Sequence, residues 1–229
     1  MTLPRLPSFA WTAAVVPPTD EGRRLLNVLI AMVGLVVALP LMVVIAVLIK
    51  LTSRGPVLFA QERIGLDRRA LGNPAGNYRR HSDYGGRTFV MYKFRTMRAD
   101  GGTAPQVWAQ RDDPRVTAVG RVLRKLRLDE LPQLWNVLVG DMNIVGPRPE
   151  QPAIFAQLRE KIQEYQRRQR VLPGITGWAQ INLAYDSSVE DVREKLNYDL
   201  EYIRHRSAVE DLKIMLLTPA VMLGQRHGW

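Results

Sequence analysis

The dominant feature of the hydrophobic pattern is an uncharged apolar run from Leu25 to Ile49, LLNVLIAMVGLVVALPLMVVIAVLI. At about 1.5 Å per residue, such a run is long enough to cross the ~30 Å hydrocarbon core of a bilayer as a helix. It starts too late and runs too long for the h-region of a cleaved signal, and no small-residue cleavage site precedes Lys50. A buried core helix is the other reading, but such helices are as a rule shorter and amphipathic. Pro40 lies inside the run; it has no N–H to donate and crowds the preceding turn, so a kink is expected between Val36 and Pro40. Both flanks are basic, with Arg23 and Arg24 before the run and Lys50, Arg54, Arg63, Arg68 and Arg69 after it. The positive-inside rule assigns both flanks to the cytoplasm. A re-entrant helix-break-helix over residues 21–54 satisfies that assignment by entering and leaving through one leaflet, whereas a straight span leaves one basic flank outside.

Elsewhere the pattern is that of a water-facing domain. Residues 1–20, with four prolines and little periodicity, read as a loose cytosolic tail. Val57–Ala60 is a short apolar strand, and 67–88 is rich in loop punctuation such as Asn73-Pro74 and Gly85-Gly86. Thr88–Arg95 alternates with a period of two, which sets Lys93 and Arg95 on one face; that face is either a phosphate cradle or a solvated edge. Over 115–128, Val119, Val122, Leu123 and Leu126 repeat at helical spacing opposite Arg121, Arg124, Lys125 and Arg127, a basic amphipathic helix suited to an anionic leaflet. Leu131, Leu134, Trp135 and Leu138 predict another helix, opened by Pro132 and ended by Gly140. Helices are also expected over 153–170 and 189–204, and over 212–223, where Pro219 interrupts a stretch too short to span. The fold class is thus mainly α with a small β element, α+β.

Composition narrows the chemistry. Among 229 residues, 32 Lys and Arg face 22 Asp and Glu, giving a net charge of +10. That excess calls for a polyanionic partner: nucleic acid, an anionic membrane surface or a phosphorylated substrate. Aromatic residues make up 7% of the chain and few sit among the arginines, which speaks against nucleic acid. The absence of cysteine removes disulfides, thiolate metal sites and cysteine nucleophiles. His81, His205 and His227 are scattered, without the spacing of a histidine metal site.

The most informative chemistry is Asp129-Glu130, two adjacent carboxylates between the basic helix and the Pro132 helix start. The plain reading is a helix cap, favoured by the macrodipole by about 0.3–1 kcal/mol. The other reading is a carboxylate that holds a cation or attacks phosphorus, with Arg124, Arg127 and Arg148 as guanidinium forks for phosphate oxygens. Val145-Gly146-Pro147-Arg148-Pro149 fixes Arg148 between two prolines, a placement suited to preorganisation.

A set of motifs then points to a family. Gly55-Pro56-Val57-Leu58-Phe59 with Gln61-Glu62-Arg63-Ile64-Gly65, Tyr92-Lys93-Phe94-Arg95-Thr96-Met97, and Asp113-Pro114-Arg115-Val116-Thr117 come first. Leu128-Asp129-Glu130-Leu131-Pro132-Gln133-Leu134 with Asn136-Val137-Leu138, Val145-Gly146-Pro147-Arg148-Pro149, and Pro173-Gly174-Ile175-Thr176-Gly177-Trp178-Ala179-Gln180 follow. In matching order over roughly residues 22–218, they resemble the bacterial monotopic phosphoglycosyl transferases, in a small catalytic-domain-only form. The resemblance implies transfer of a sugar-1-phosphate from a UDP-sugar to undecaprenyl (polyprenyl) phosphate with release of UMP, the initiating step of surface glycan assembly. It also implies a monotopic protein of the bacterial cytoplasmic membrane. Residues 1–20 would be a cytosolic tail, 21–54 the re-entrant hairpin, and 55–229 a catalytic domain on the inner leaflet, with both termini and the active site cytoplasmic.

By the same resemblance Asp129 is the nucleophile, forming a phosphosugar-aspartyl intermediate, and a ligand for Mg²⁺, with Glu130 its partner as metal orienter or base. Lys93, Arg95, Arg148 and Arg127 would bind substrate phosphates, and Trp178, Gln180 and Arg63 would line the donor or lipid pocket. Two positions depart from the family pattern: Leu39-Pro40 stands where a Ser-Pro pair breaks the membrane helix, and Arg127 stands where many members have serine. The alternative function is a membrane-anchored scaffold that binds anionic lipid without catalysis. The identity of the sugar and homo-oligomerisation stay open at this point.

Overall fold

The apolar run folds as a helix of 32 residues, α1 (Glu21–Thr52). It belongs to a computed structural model that describes residues 21–67, 86–98, 113–162, 164–183 and 188–223. The expected N-terminal tail and most of the loop-rich stretch 67–88 lie outside the described residues. The predicted break at Pro40 is corrected: Pro40 lies inside α1 and helical backbone continues on both sides of it. Proline removes one intrahelical bond and crowds one carbonyl, a local cost that a long helix absorbs by bending without unwinding.

One stripe of α1 is packed and the rest is bare. Arg23, Asn27, Ala31, Ile45 and Ile49 are buried, and Gly34 passes close to Leu134. Val33, Val36, Val37, Leu39, Val43 and Val44 are exposed. The spacing of the buried set follows the helical repeat along nearly the full length, so both ends of α1 rest on the rest of the chain.

Both expected strands form, the first extending to Ile64 and the second stopping at Phe94, and they pair with each other. β1 (Leu58–Ile64) runs antiparallel to β2 (Thr88–Phe94), from Leu58 opposite Phe94 to Ile64 opposite Thr88. The basic amphipathic stretch yields α2 (Ala118–Lys125), capped by Thr117, whose hydroxyl accepts the Gly120 N–H at 2.9 Å. Leu123 faces the core while Val122 and Leu126 point outward. α3 (Gln133–Val139) starts after Pro132 and ends at Gly140, whose φ of 92° is a left-handed cap that glycine adopts without a Cβ clash.

Two short parallel strands, β3 (Asn143–Val145) and β4 (Gly174–Thr176), were not foreseen. They approach so closely that a Cβ on Gly174 would lie 2.1 Å from the Gly146 nitrogen, which reserves the position for glycine. The expected helix over 153–170 divides into α4 (Pro152–Lys161) and a 3₁₀ turn (Tyr165–Arg170), because the chain extends at Ile162. A five-residue helix, α5 (Trp178–Asn182), follows. α6 (Val189–His205) matches its prediction and begins with a Ser188/Asp191 capping box; α7 (Ala208–Leu223) starts earlier than expected and contains Pro219.

Among the described residues the fold is mostly helical with two small sheets. One core cluster joins Ala31 of α1, Phe89 and Met91 of β2, Val137 of α3, Val145 of β3 and Ile214 of α7. A second holds α4 against α6 through Phe155, Leu158, Tyr165, Val192 and Leu196. Polar anchors fix the N-terminal end of α1. Arg23 donates to Asp211 of α7 at 2.9 Å and to the Tyr202 hydroxyl of α6 at 2.7 Å, and the Asn27 amide oxygen accepts the Ile144 N–H at 2.6 Å. Arg24 adds bonds to the Met142 and Val137 carbonyls.

Candidate active site

Asp129 and Glu130 sit in a 3₁₀ turn (Leu128–Glu130) between α2 and α3. Arg127, just ahead, has φ 56° and ψ 16°, in the left-handed region. It is the one non-glycine residue with positive φ among the described residues. That reversal swings the chain off the end of α2 and turns both carboxylates inward, to 8% and 7% exposure. Neither caps α3, which begins at Pro132 without a side-chain cap, so the capping reading falls.

Glu130 is saturated with cations. Its Oε1 accepts Lys93 Nζ at 2.9 Å and Arg148 Nη2 at 2.7 Å, and Arg127 Nη1 stands at 3.9 Å. Burial opposes ionisation of Glu130, but the fields of Arg148 and Lys93 and the Arg148 hydrogen bond outweigh it and hold the carboxyl well below its ordinary value. Burial lowers the Lys93 ammonium, against the opposing field of Glu130. A carboxylate so compensated is a poor general base.

Asp129 differs. Among the described residues its carboxylate makes no hydrogen bond or ion pair. Burial raises it above the ordinary aspartate value, only partly countered by Lys93, Arg148 and Arg127. The site therefore presents an uncommitted carboxylate in the field of three cations that a neighbouring carboxylate holds together. Such a constellation suits attack on, or coordination of, a phosphorylated group. No group of three or more His, Asp or Glu residues that could hold a metal occurs among the described residues.

The supports come from both sides. Asn136 of α3 donates to the Val90 carbonyl at 2.7 Å and accepts the Tyr92 N–H at 3.1 Å, which fixes α3 against β2 and sets Lys93 beside Glu130. The sequence places Asn136 in a quoted motif without a role; its signal is a polar residue beside Val137 on a helix face that is fully buried. Arg148 arrives on the loop after β3.

Among the described residues the other predicted site residues make no hydrogen bond or ion pair to Asp129 or Glu130, although Arg63 is close enough to feel the charges of Glu130 and Arg148. Arg95 follows the end of β2 and donates to the Ser53 carbonyl at 2.8 Å and the Arg54 carbonyl at 2.7 Å, so it satisfies carbonyls just beyond the C-terminal end of α1. Arg124 donates to the Thr96 hydroxyl at 3.0 Å. Trp178 donates to Glu201 at 3.3 Å with the Lys213 ammonium 5.2 Å from its ring, and Gln180 donates to the Ile175 carbonyl at 3.0 Å. Arg63 donates to the Pro149 carbonyl at 3.0 Å, one residue from Arg148.

Residues 19–225 match the family model described as bacterial sugar transferase. Over 201 residues the chain is 41% identical to a UDP-N-acetylgalactosamine-undecaprenyl-phosphate N-acetylgalactosaminephosphotransferase of Aeromonas hydrophila, covering 88% of this chain and 43% of the relative. It is 41% identical over 212 residues to a UDP-glucose:undecaprenyl-phosphate glucose-1-phosphate transferase of Xanthomonas campestris, covering 91% of this chain and 40% of the relative. An exopolysaccharide production protein, ExoY, of Sinorhizobium fredii is 35% identical over 230 residues, covering 93% of this chain and 91% of the relative. The chain thus spans about two-fifths of the length of the first two relatives and nearly all of the third. With the family model matched over most of its length, the chain belongs to the bacterial sugar transferase family.

Proposed function

We propose that this chain transfers a sugar-1-phosphate from a UDP-sugar to undecaprenyl phosphate with release of UMP, through a covalent intermediate on Asp129. The observation that carries the reading is the pairing of an uncommitted, buried Asp129 with a Glu130 that gathers Lys93, Arg148 and Arg127. The names of the relatives, which pair undecaprenyl phosphate with either N-acetylgalactosamine or glucose, support the substrate class and leave the sugar open.

In this mechanism an Asp129 carboxylate oxygen bonds to the β-phosphorus of the donor while the bond from that phosphorus to the bridging oxygen breaks, and UMP leaves with the electron pair. A phosphate oxygen of the lipid then attacks the same phosphorus and displaces the Asp129 carboxylate. Two displacements let the aqueous donor depart before the membrane-bound acceptor enters. Lys93, Arg148 and Arg127 neutralise the phosphoryl oxygens, and Glu130 keeps those cations in place rather than moving a proton. Asp129 is the carboxylate that would hold a Mg²⁺ ion, since Glu130 is already spent on cations. Such an ion would supply neutralisation of the donor's phosphate charge.

The same reading makes the protein monotopic at the inner leaflet, α1 entering and leaving by the cytoplasmic side with its bend at Pro40. Its support is that the N-terminal end of α1 is tied to Asp211 and Ile144, while the C-terminal end packs on Phe94 and Leu123 of the same fold.

The test is UMP release by the purified protein with undecaprenyl phosphate and a panel of UDP-sugars. Asp129→Asn is expected to abolish both UMP release and protein labelling by donor carrying ³²P in its β-phosphate; an active Asp129→Asn variant refutes the nucleophile. Binding of anionic vesicles with no UMP release from any donor returns the protein to the scaffold reading.

A further inference from the structure

The loop that carries Arg148 is held from behind, carbonyl by carbonyl. The Pro147 carbonyl accepts the Gly174 N–H at 3.0 Å and the Glu150 carbonyl accepts the Ile64 N–H at 2.9 Å. Between these two main-chain bonds, the Arg148 carbonyl accepts Arg168 Nη2 at 3.1 Å and the Pro149 carbonyl accepts Arg63 Nη1 at 3.0 Å. Four consecutive carbonyls are thus tied to β4, the 3₁₀ turn and β1, while the prolines on either side of Arg148 restrict φ.

The two side-chain clamps are themselves fixed. Arg168, with a side chain 3% exposed, donates to Asp199 at 2.7 Å and to the Tyr165 hydroxyl at 2.5 Å, and lies 3.6 Å from Glu150. Arg63 also donates to Gln61 Oε1 at 2.6 Å. Bringing two guanidinium groups to the backbone of a third arginine costs repulsion, which Glu150, reached also by Lys195 at 3.7 Å, offsets. Main-chain donors alone would close a loop without that cost. What the arrangement yields is a fixed root for the side chain that reaches Glu130.

We propose that Arg63 and Arg168 are positioning residues, which act by clamping the backbone on either side of the Arg148–Pro149 bond and thereby aim the Arg148 guanidinium at Glu130 and the donor's diphosphate. The diphosphate half of this assignment rests on the transferase reading above; the clamp itself does not. Arg63 is thereby moved from the pocket lining that the sequence suggested to the support of a phosphate-binding arginine.

Two variants test the clamp. Arg63→Met keeps the apolar stem and removes the donors; Arg168→Lys keeps the charge, but one ammonium group cannot serve Asp199, Tyr165 and Arg148 together. Each is expected to lower kcat/KM for UMP release on the order of tenfold to a hundredfold. In an Arg148→Ala background neither is expected to lower it further, whereas losses that multiply there overturn the proposal. Arg63 has no carboxylate at ion-pair distance among the described residues, so Arg63→Met carries the test if Arg168→Lys fails to fold. A second readout needs no activity: the thermal-shift coupling between Arg148→Ala and Glu130→Gln is expected to collapse in the Arg63→Met background. Unchanged coupling there also overturns the clamp. A protein whose coupling collapses but which releases no UMP from any donor keeps the clamp and refutes the transferase reading.

Discussion

Asp129 and Glu130 are adjacent carboxylates held at opposite electrostatic settings, and stability should report the difference. Asp129 is raised in the folded state by burial, so its ionised form opposes folding at neutral pH and the penalty fades as pH falls through its raised value. Asp129→Asn is therefore expected to stabilise the protein by about 1 kcal/mol at pH 7, a rise of a few degrees in Tm, with the gain vanishing in acid. Glu130 has the reverse sign: its depressed value stabilises the fold above the ordinary glutamate range and is lost as pH falls through that lower value. Glu130→Gln is expected to cost about 3 kcal/mol at pH 7 by leaving Lys93 and Arg148 without their anion, and the deficit should shrink on acidification. Thermal melts of the three proteins from pH 7 downward check both signs. Arg127 separates backbone from charge at the same turn. Its φ of 56° penalises any side chain with a Cβ by about 1–2 kcal/mol. Arg127→Gly is expected to melt above Arg127→Ala, while both lose the same cation near Glu130 and hence the same activity.

Whether an element was legible in the sequence depended on how far its determinants reach along the chain. α3 announces itself locally, by Pro132 and Gly140, and the helix expected over 189–204 forms as α6 behind a Ser188 capping box that is itself local. β3 and β4 have three residues each, too few to display alternation, and their pairing partner lies some thirty residues away. Arg168 stands in a cationic run, Arg167-Arg168-Gln169-Arg170, yet its partner is Asp199, 31 positions on, a relation no spacing rule exposes. Alternation sets Arg95 on the face of Lys93 only where the strand continues, but β2 stops at Phe94 and the guanidinium turns to the end of α1. The carboxylate pair and Arg148 are readable from the sequence; the bond from Lys93 to Glu130 is not, because it follows from how Asn136 seats α3 on β2. Asn27 gives this point a test at the level of α1. By hydropathy, Asn27→Leu improves an apolar helix. In the fold it strips the Ile144 N–H of its acceptor and the Arg23 carbonyl of a donor, so a loss of about 2 kcal/mol is expected. An unchanged or raised Tm for Asn27→Leu would show that this end of α1 is not anchored through Asn27.

At the scale of the whole molecule, a net charge of +10 suggested a polyanion, and its distribution divides that charge among several tasks. Arg23 is matched by Asp211, Arg168 by Asp199 and Glu150, and Arg95 is spent on carbonyls, while Lys93, Arg127 and Arg148 meet at Glu130. Cations such as Lys50, Arg54, Arg121 and Lys125 face outward, and beside them lies apolar surface: the bare side of α1, Val122 and Leu126 of α2, and Val209 and Leu216 of α7. α1 is the one helix among the described residues long and apolar enough to cross a membrane, and the topology turns on its two ends. A transmembrane passage separates them by the ~30 Å hydrocarbon core, yet Arg23 bonds to α7 and Ile49 packs with Phe94 and Leu123. One folded body cannot make both contacts from one side of a bilayer if the helix between them traverses it, so both ends are expected on the same face. The absence of native cysteine makes this directly measurable. Single cysteines at Gly22, where added side-chain atoms meet open space, and at the exposed Arg54 are expected to resist a membrane-impermeant maleimide in intact cells. Both should label once the cytoplasmic membrane is permeabilised. Labelling of one position and not the other in intact cells would establish a transmembrane passage, and the contacts of Arg23 or of Ile49 would then have to be absent from the protein in its membrane.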